Sequence, residues 1–416
     1  ASAPPPQMSC GAALPLPTEP MTRRPLSFAL LLPLLLSAQP VATDSYLPAL
    51  PAIAQALGSA STSLTVFALA FGIGQLPMGS LADRFGRRHV LLIGLACYAL
   101  AALAGALATT ASMLTAARAL QGFSMAAILV CARAAVRDLH PARDGPHVMA
   151  RGLTGLGFVA LMAPILGAFV AQHAGWRWVL VGMSLYAIVL WAMCWYGFAE
   201  TRQETHIQAG SVREIFASAD FRAWGLLAAT TYAGIFCFLL LSPMVYIAYL
   251  GLSPELYGWI PAGGSLVYIV STTGCRRLLR RQSLVRTVQQ GATLSLVGAG
   301  IQGLGCWLLP GQAWPLLLGH GIYCMGHGIH QPCGQAGAVG ELPHLAGRAV
   351  SWSGFIMMLA AFCLGQTAAA FDDTSHSLGA WPMVVPMMLA GTVLASIAFL
   401  WLPKLQSQPD PQSAAA

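Results

Sequence analysis

Gly79-Ser80-Leu81-Ala82-Asp83-Arg84-Phe85-Gly86-Arg87-Arg88-His89 sets one acid, three arginines and a histidine between two long apolar runs. In a chain only 8% charged, such a knot marks a place where the backbone leaves an apolar medium. Gly79 and Gly86 suit tight turning and close approach. The stretch reads as a turn at a membrane surface where two helices meet.

The composition around it agrees. The chain has 416 residues, 56% of them hydrophobic, and a mean hydropathy of +0.66. A soluble chain carries about 25% charged residues. Apolar content this high exceeds what one buried core holds, so it must face lipid. At about 20 residues per crossing, there is room for twelve spans with short loops. The apolar runs fall at 26–48, 63–82, 90–109, 113–135, 149–172, 177–199, 223–247, 257–275, 286–308, 314–336, 349–371 and 380–402. The ninth and tenth are weakest, because Gly and Gln dilute them. Spanning β-strands would alternate over about 10 residues, whereas these runs are longer and rich in Leu, Ala and Gly. The fold class is an all-α membrane protein.

Charge supports the count. With the N-terminus inside, 19 of the 21 Lys and Arg residues flank the inner side, while Arg177 lies at an outer turn and Arg118 within a span. One span more or fewer would scramble this segregation, so both termini are expected in the cytoplasm. The same bias accounts for the net charge of +7. No aromatic-interleaved basic stripe points to nucleic acid. Cys97, Cys131, Cys194, Cys237 and Cys363 fall inside apolar runs as small hydrophobes. No CxxC pair or zinc-ligand spacing occurs.

Residues 1–22, rich in Pro and Ala, read as a disordered leader. The apolar pattern after Arg23-Arg24 continues to Leu47, too long for the core of a signal peptide, so the first span is expected to be retained. The polar stretch 200–221 divides the spans six and six. The expected units are an N-terminal bundle 23–199, a cytoplasmic linker 200–221, a C-terminal bundle 222–403 and a flexible tail 404–416. Arg276-Arg277-Leu278-Leu279-Arg280-Arg281 echoes the first charged turn at the equivalent place, without an acid.

The 79–89 stretch resembles the signature loop between the second and third helices of the major facilitator superfamily. Further motifs are similar, in order and spacing, to its bicyclomycin-resistance (Bcr/CflA) branch of drug:proton antiporters. They are Asp44-Ser45-Tyr46-Leu47-Pro48-Ala49-Leu50-Pro51, Gly74-Gln75-Leu76, Arg118-Ala119-Leu120-Gln121-Gly122, Ala132-Arg133-Ala134-Ala135-Val136-Arg137-Asp138, Ala163-Pro164-Ile165-Leu166-Gly167 and Trp176-Arg177-Trp178. The sharp motifs lie in the first half of the chain. The resemblance implies twelve transmembrane helices in two pseudo-symmetric six-helix bundles, rocking about a cavity lined by spans one, four, seven and ten. It also implies proton-coupled export of a small amphipathic drug or metabolite from a bacterial inner membrane. The branch's fifth-helix motif is richer in glycine than 163–168 here, which weakens antiport relative to symport.

Asp44 is the acid that the spans place inside the membrane. A charge in hydrocarbon costs about 2.5–3.5 kcal/mol or more, so Asp44 reads as a carboxyl that takes up and releases a proton. A helix-end acid among headgroups is the alternative. Arg118 starts about 8 Å below the outer end of span four and is expected to share a polar cavity with Asp44 and bias it. A structural arginine on backbone carbonyls is the alternative, although the resemblance links this arginine to proton movement. The expected substrate cavity adds Gln39, Gln121, Phe238, His327 and Gln331.

Gly79, Asp83, Arg84, Gly86, Arg87, Arg88, Arg133 and Arg137 form an expected conformational latch. In it Asp83 accepts from Arg87, Arg133 or Arg137 and faces the N-terminal dipole of span eleven. Arginines that serve topology and lipid phosphate alone are the plainer alternative. Pro164 and Gly167 are expected to bend span five and permit tight packing. His320, His327 and His330 are spaced by seven and three residues and are expected on one helical face with Cys324. His320, Cys324 and His327 offer a soft-metal alternative, proton shuttling by His327 another, and cavity lining or packing a third. Met383 and Met387 read as lipid-facing filler.

No nucleotide-binding loop, metalloprotease signature or Gly-x-Ser-x-Gly elbow occurs. The chain is expected to be no enzyme and to need no cofactor. Its expected partners are a small-molecule substrate, protons and the bilayer, and a monomer suffices. One rival keeps the fold and imports a nutrient or copper. Another is a non-transporting membrane sensor or scaffold, for which 200–221 and the tail leave little room.

Overall fold

The computed structural model describes residues 28–58, 60–140, 145–202, 211–340, 342, 345–371 and 378–406. The expected leader, the middle of the linker and residues 407–416 lie outside them. Every apolar run of the sequence appears as a helix. The first six are α1 Phe28–Thr43, α2 Ser61–Phe85, α3 Arg87–Ala106, α4 Ala111–Leu139, α5 Gly145–His173 and α6 Trp176–Gly197. The second six are α7 Ala219–Pro243, α8 Pro254–Leu279, α9 Leu284–Leu308, α10 Ala313–Gly340, α11 Ala346–Ala369 and α12 Trp381–Ser396.

Among the described residues, ten segments combine the length and apolarity needed to cross a bilayer. The two that fall short are α8 and α10: the tenth span is weak as expected, but the ninth qualifies and the eighth falls short in its place. Both are long, at 26 and 28 residues. Ser, Thr and Arg dilute α8, and Gly, His and Gln dilute α10. Helix starts carry side-chain caps where polar residues are available. Thr110, Ser218, Ser253 and Ser283 each accept from a backbone N–H three residues ahead, satisfying donors that a helix leaves open.

The packing repeats with an offset of six helices. In the first bundle α2 and α3 pack on α4, α3 on α6, and α1 on α5. In the second α8 and α9 pack on α10, α9 on α12, and α7 on α11. The bundles meet along two seams, α2 against α11 and α5 against α8, and the same offset exchanges these seams. Close helix approach rests on small residues, as expected where lipid competes for apolar surface.

Two membrane segments are irregular at matching places. After α1 ends at Thr43, Asp44–Tyr46 form a turn, Leu47–Ala49 one tight helical turn, and Leu50–Leu57 a short helix. Pro48 and Pro51 sit in the first turns of these pieces, where a missing N–H costs nothing. In the second bundle α7 gives way to a widened turn over Met244–Tyr249. Met383 and Met387 are fully buried, contrary to the lipid-facing expectation, because α12 packs against α7 and α9.

Candidate functional site

Asp44 does not lie within a continuous helix. It occupies the turn that breaks the first membrane segment, half-buried, with its Oδ1 accepting from Thr43 Oγ1 at 2.7 Å. Gly167 of α5 makes this arrangement possible. An added Cβ there would lie 2.6 Å from Ser45 Cα and 2.7 Å from its carbonyl carbon. The turn thus lies directly on α5. Helix α5 itself runs through Pro164, so Gly167 serves close approach.

The second bundle comes to this turn. Asp44 lies within electrostatic reach of Tyr232 on α7 and Tyr257 on α8. Gln39, one turn earlier, donates to Tyr232 Oη at 3.4 Å. Tyr257 shares a 2.7 Å hydrogen bond with Ser242. Neither tyrosine was selected from the sequence. Both stand in apolar runs as uncharged aromatics, and only the fold packs their helices on the segment that follows Asp44.

Arg118 is fully buried on α4 and does not bond to Asp44. Its Nη2 donates to the Ala42 carbonyl at 2.9 Å, and its Nη1 to Gln121 Oε1 at 2.5 Å. The guanidinium lies over Tyr46 at 4.4 Å and Phe67 at 4.3 Å from the ring centroids. Two hydrogen bonds and two ring faces hold this cation. Arg118 therefore grips the main chain just before Asp44, and the expected side-chain pair is absent here. Gln121 is also fully buried, its amide against Met183. It supports Arg118 and does not line a cavity.

In the second bundle the three histidines divide between two faces of α10. His327 shares a 3.0 Å hydrogen bond with Thr231 of α7 and meets the ring of Tyr268 of α8. His320 stacks on Phe238, centroids 3.3 Å apart, and touches Cys324 Sγ at 3.3 Å. His330 turns to α9, its Nε2 3.2 Å from the Val288 carbonyl. Three helical positions on from His327 is about 300° of rotation, and tertiary packing takes His330 to the far neighbour. Phe238 is fully buried, so it supports His320 from behind and does not line open space. Gln331 donates to Met357 Sδ of α11 at 3.1 Å. Among the described residues, no three His, Cys, Asp or Glu side chains gather as a metal site. The His320, Cys324 and His327 alternative is therefore unsupported, with His327 turned to Thr231.

The signature loop builds a different constellation. Gly86 has φ +92°, a left-handed value that glycine adopts without strain, and separates α2 from α3. Arg87 joins Asp83 at 2.5 Å and Asp138 at 3.1 Å. Arg84, Arg88, Arg133 and Arg137 do not pair with Asp83. Arg88 donates to the Phe198 and Trp195 carbonyls at the end of α6. Arg84 lies over the Phe85 ring. Arg137 approaches Gly347 at the start of α11, 3.6 Å from a Cβ built there. Asp83 pairs with Arg87 and not with that helix start, where it was expected. Gly79 has open space beside it.

Glu200 completes the loop and was missed in the sequence, where it opens a polar linker. Its carboxylate accepts from the backbone N–H groups of Arg87 at 2.8 Å, Arg88 at 3.2 Å, Thr201 at 3.1 Å and Arg202 at 3.0 Å. Partial burial pushes its pKa up, but these four N–H bonds outweigh that and hold it below the usual glutamate value. A carboxylate at the start of α3 is also favoured by the helix dipole. The signal was an acid directly after an apolar run, facing a turn rich in arginine.

The far ends of α5 and α8, on the Asp44 side, close against each other. A Cβ on Gly258 would lie 2.9 Å from Ala168 Cβ and 3.0 Å from the Pro164 carbonyl. His173 at the end of α5 and Glu255 at the start of α8 lie 3.6 Å apart across the same seam.

Comparison with known proteins gives the same architecture. The family model described as Major Facilitator Superfamily matches residues 34–366. A chloramphenicol resistance protein of Pseudomonas aeruginosa is 27% identical over 369 residues, covering 85% of this chain and 86% of its own. A bicyclomycin resistance protein homolog of Haemophilus influenzae is 25% identical over 393 residues, covering 90% and 96%. A crystal structure of a D-xylose-proton symporter superposes with a TM-score of 0.74 at 15% identity, covering 92% of this chain and 99% of that one. That likeness speaks for the fold alone.

Proposed function

This chain belongs to the Major Facilitator Superfamily, and from that premise we propose that it exports small amphipathic, drug-like molecules in exchange for protons. It is a secondary transporter and not an enzyme. The observation that carries the proposal is the position of Asp44. It stands at the break of one bundle's first segment, about one turn after Gln39, which donates to Tyr232 of the other bundle. Among the described residues, the other carboxylates sit at helix ends or in connections. A carboxyl at a seam between moving bodies changes their attraction when it takes up a proton.

Arg118 acts through the main chain. By holding the Ala42 carbonyl, it fixes where Asp44 stands. The substrate lies between Gln39, Tyr232, Thr231, His327, Tyr268 and Gln331, a mix of aromatic faces and hydrogen-bonding groups that suits amphipathic molecules. The moving units are 23–199 and 222–403, joined by 200–221. On the signature-loop side, Asp83, Arg87, Asp138 and Glu200 tie α2, α3, α4 and the linker into one latch. The protein works as a monomer in a bacterial inner membrane with both termini cytoplasmic. The names of the relatives supply chloramphenicol and bicyclomycin as first compounds to test.

The test is transport in proteoliposomes under an imposed pH gradient. Wild type moves at least one of the two compounds against its gradient, and Asp44→Asn, folded and inserted, loses gradient-driven movement while retaining passive exchange. Equal gradient-driven transport by both proteins overturns the proposal. Uptake with the proton flow instead of against it assigns import.

A further inference from the structure

We propose that a groove on the lipid-facing side of α2, α3 and α4 binds one anionic phospholipid, with an acyl chain in the groove and its phosphate on Arg84 and Arg202. The cavity measures about 620 Å³ and is walled by residues of α2, α3 and α4. Met78, Leu81 and Phe85 line it from α2, and His89, Ile93 and Cys97 from α3. Its floor is the contact of α3 with α4, where a Cβ on Gly94 would lie 2.7 Å from Ala127 Cβ. Phe85 and Ile93 are 56% and 63% exposed, so large apolar groups here have no protein partner to cover them.

The length fits a chain end. From His89 to Cys97 is eight residues of helix, about 12 Å, most of one leaflet of a hydrocarbon core about 30 Å thick. The apolar lining runs inward from the signature loop, and the charges stand at the loop itself. Both ends of a phospholipid are thereby addressed.

Charge at the mouth selects the headgroup. The Arg84 guanidinium lies 5.2 Å over the Phe85 ring, and Phe85 lines the groove. Arg202 Nη1 donates to the Arg84 carbonyl at 3.1 Å, so the Arg202 guanidinium is held against the main chain of the residue that carries the other. His89 is exposed beside them. The nearby acids are engaged: Asp83 with Arg87, Asp138 with Arg87 and Thr201, and Glu200 with four backbone N–H groups. Net positive charge at a membrane surface favours anionic lipid over zwitterionic.

Native mass spectrometry of the full chain tests this. The protein is released from bilayers of phosphatidylcholine alone, or with one fifth phosphatidylglycerol. Wild type should retain one phosphatidylglycerol in preference to phosphatidylcholine. The double variant Arg84→Gln, Arg202→Gln should lower that retention roughly tenfold or more. Cys97→Trp, which fills the groove and leaves both arginines, should remove it too. Equal retention of the two lipids overturns the proposal, as does unchanged phosphatidylglycerol retention in either variant. Displacement of the lipid by chloramphenicol at transport concentrations also overturns it, by assigning the groove to substrate.

Discussion

Replacing Gly167 by alanine adds one methyl group where α5 carries the turn that holds Asp44. The new Cβ would stand 2.6 Å from Ser45 Cα. Ordinary carbon contacts lie at about 3.5–4.0 Å, so turn and helix must part by roughly 1 Å. Overpacking of this kind costs about 1–3 kcal/mol. The displaced turn carries Asp44 and also Tyr46, one of the two rings that hold Arg118. Coupling and stability should therefore fall together. Gly182 of α6 has nothing within 4 Å of an added Cβ, and Gly182→Ala is the matched control. Thermal melting and gradient-driven efflux should both drop for Gly167→Ala, efflux by about tenfold if 1.4 kcal/mol of positioning is lost. Gly182→Ala should behave as wild type in both. A Gly167→Ala protein with wild-type melting and efflux would refute the claim that this contact positions the carboxyl.

Arg118→Lys offers one ammonium where a planar fork now reaches the Ala42 carbonyl and Gln121 between two rings. It should lose about 1.5–3 kcal/mol of stability along with gradient-driven transport, and an unchanged melting curve contradicts this. Glu200→Gln weakens the cap on α3. Since Glu200 has a lowered pKa when folded, its contribution is present above the unfolded value of about 4.3 and fades as pH falls through the folded one. The melting difference between wild type and Glu200→Gln should therefore shrink on acidification from pH 7 to below 4, and a difference independent of pH counts against it. Ala168→Cys with Gly258→Cys should form a disulfide across the α5–α8 seam, stop transport, and recover with reductant. Transport that continues when the cross-link is complete would show that this seam need not open.

The twelve helices were legible because hydropathy and charge segregation are strong, redundant signals. Each span carries many apolar residues, and a single miscount would have disordered nineteen basic positions. The break at Asp44 was not legible. Its two prolines sit where a helix can begin as well as end, and the apolar pattern runs across the turn. Arg118 and Asp44 were recognisable as charges in apolar runs, but their mutual arrangement depends on Gly167 letting the turn lie on α5. The histidines show the limit of periodicity. Residues 327 and 330 are three apart and near one another on a helix surface, yet α7 takes one and α9 the other. Glu200 and Tyr232 act partly through hydrogen bonds with residues over 100 positions away in sequence, Arg87 and Arg88 for the one and Gln39 for the other, and no local pattern announces them.

Proton release on substrate binding tests Asp44 most directly. Purified protein in weakly buffered detergent near neutral pH is mixed with a transported compound, and the bulk pH is followed with an indicator dye. Wild type should release protons, up to about one per chain, as substrate and proton compete for one state of the carrier. Asp44→Asn should bind the compound and release none. Release by Asp44→Asn equal to that of wild type, or saturating binding by wild type without any release, would contradict the assignment of coupling to this carboxyl.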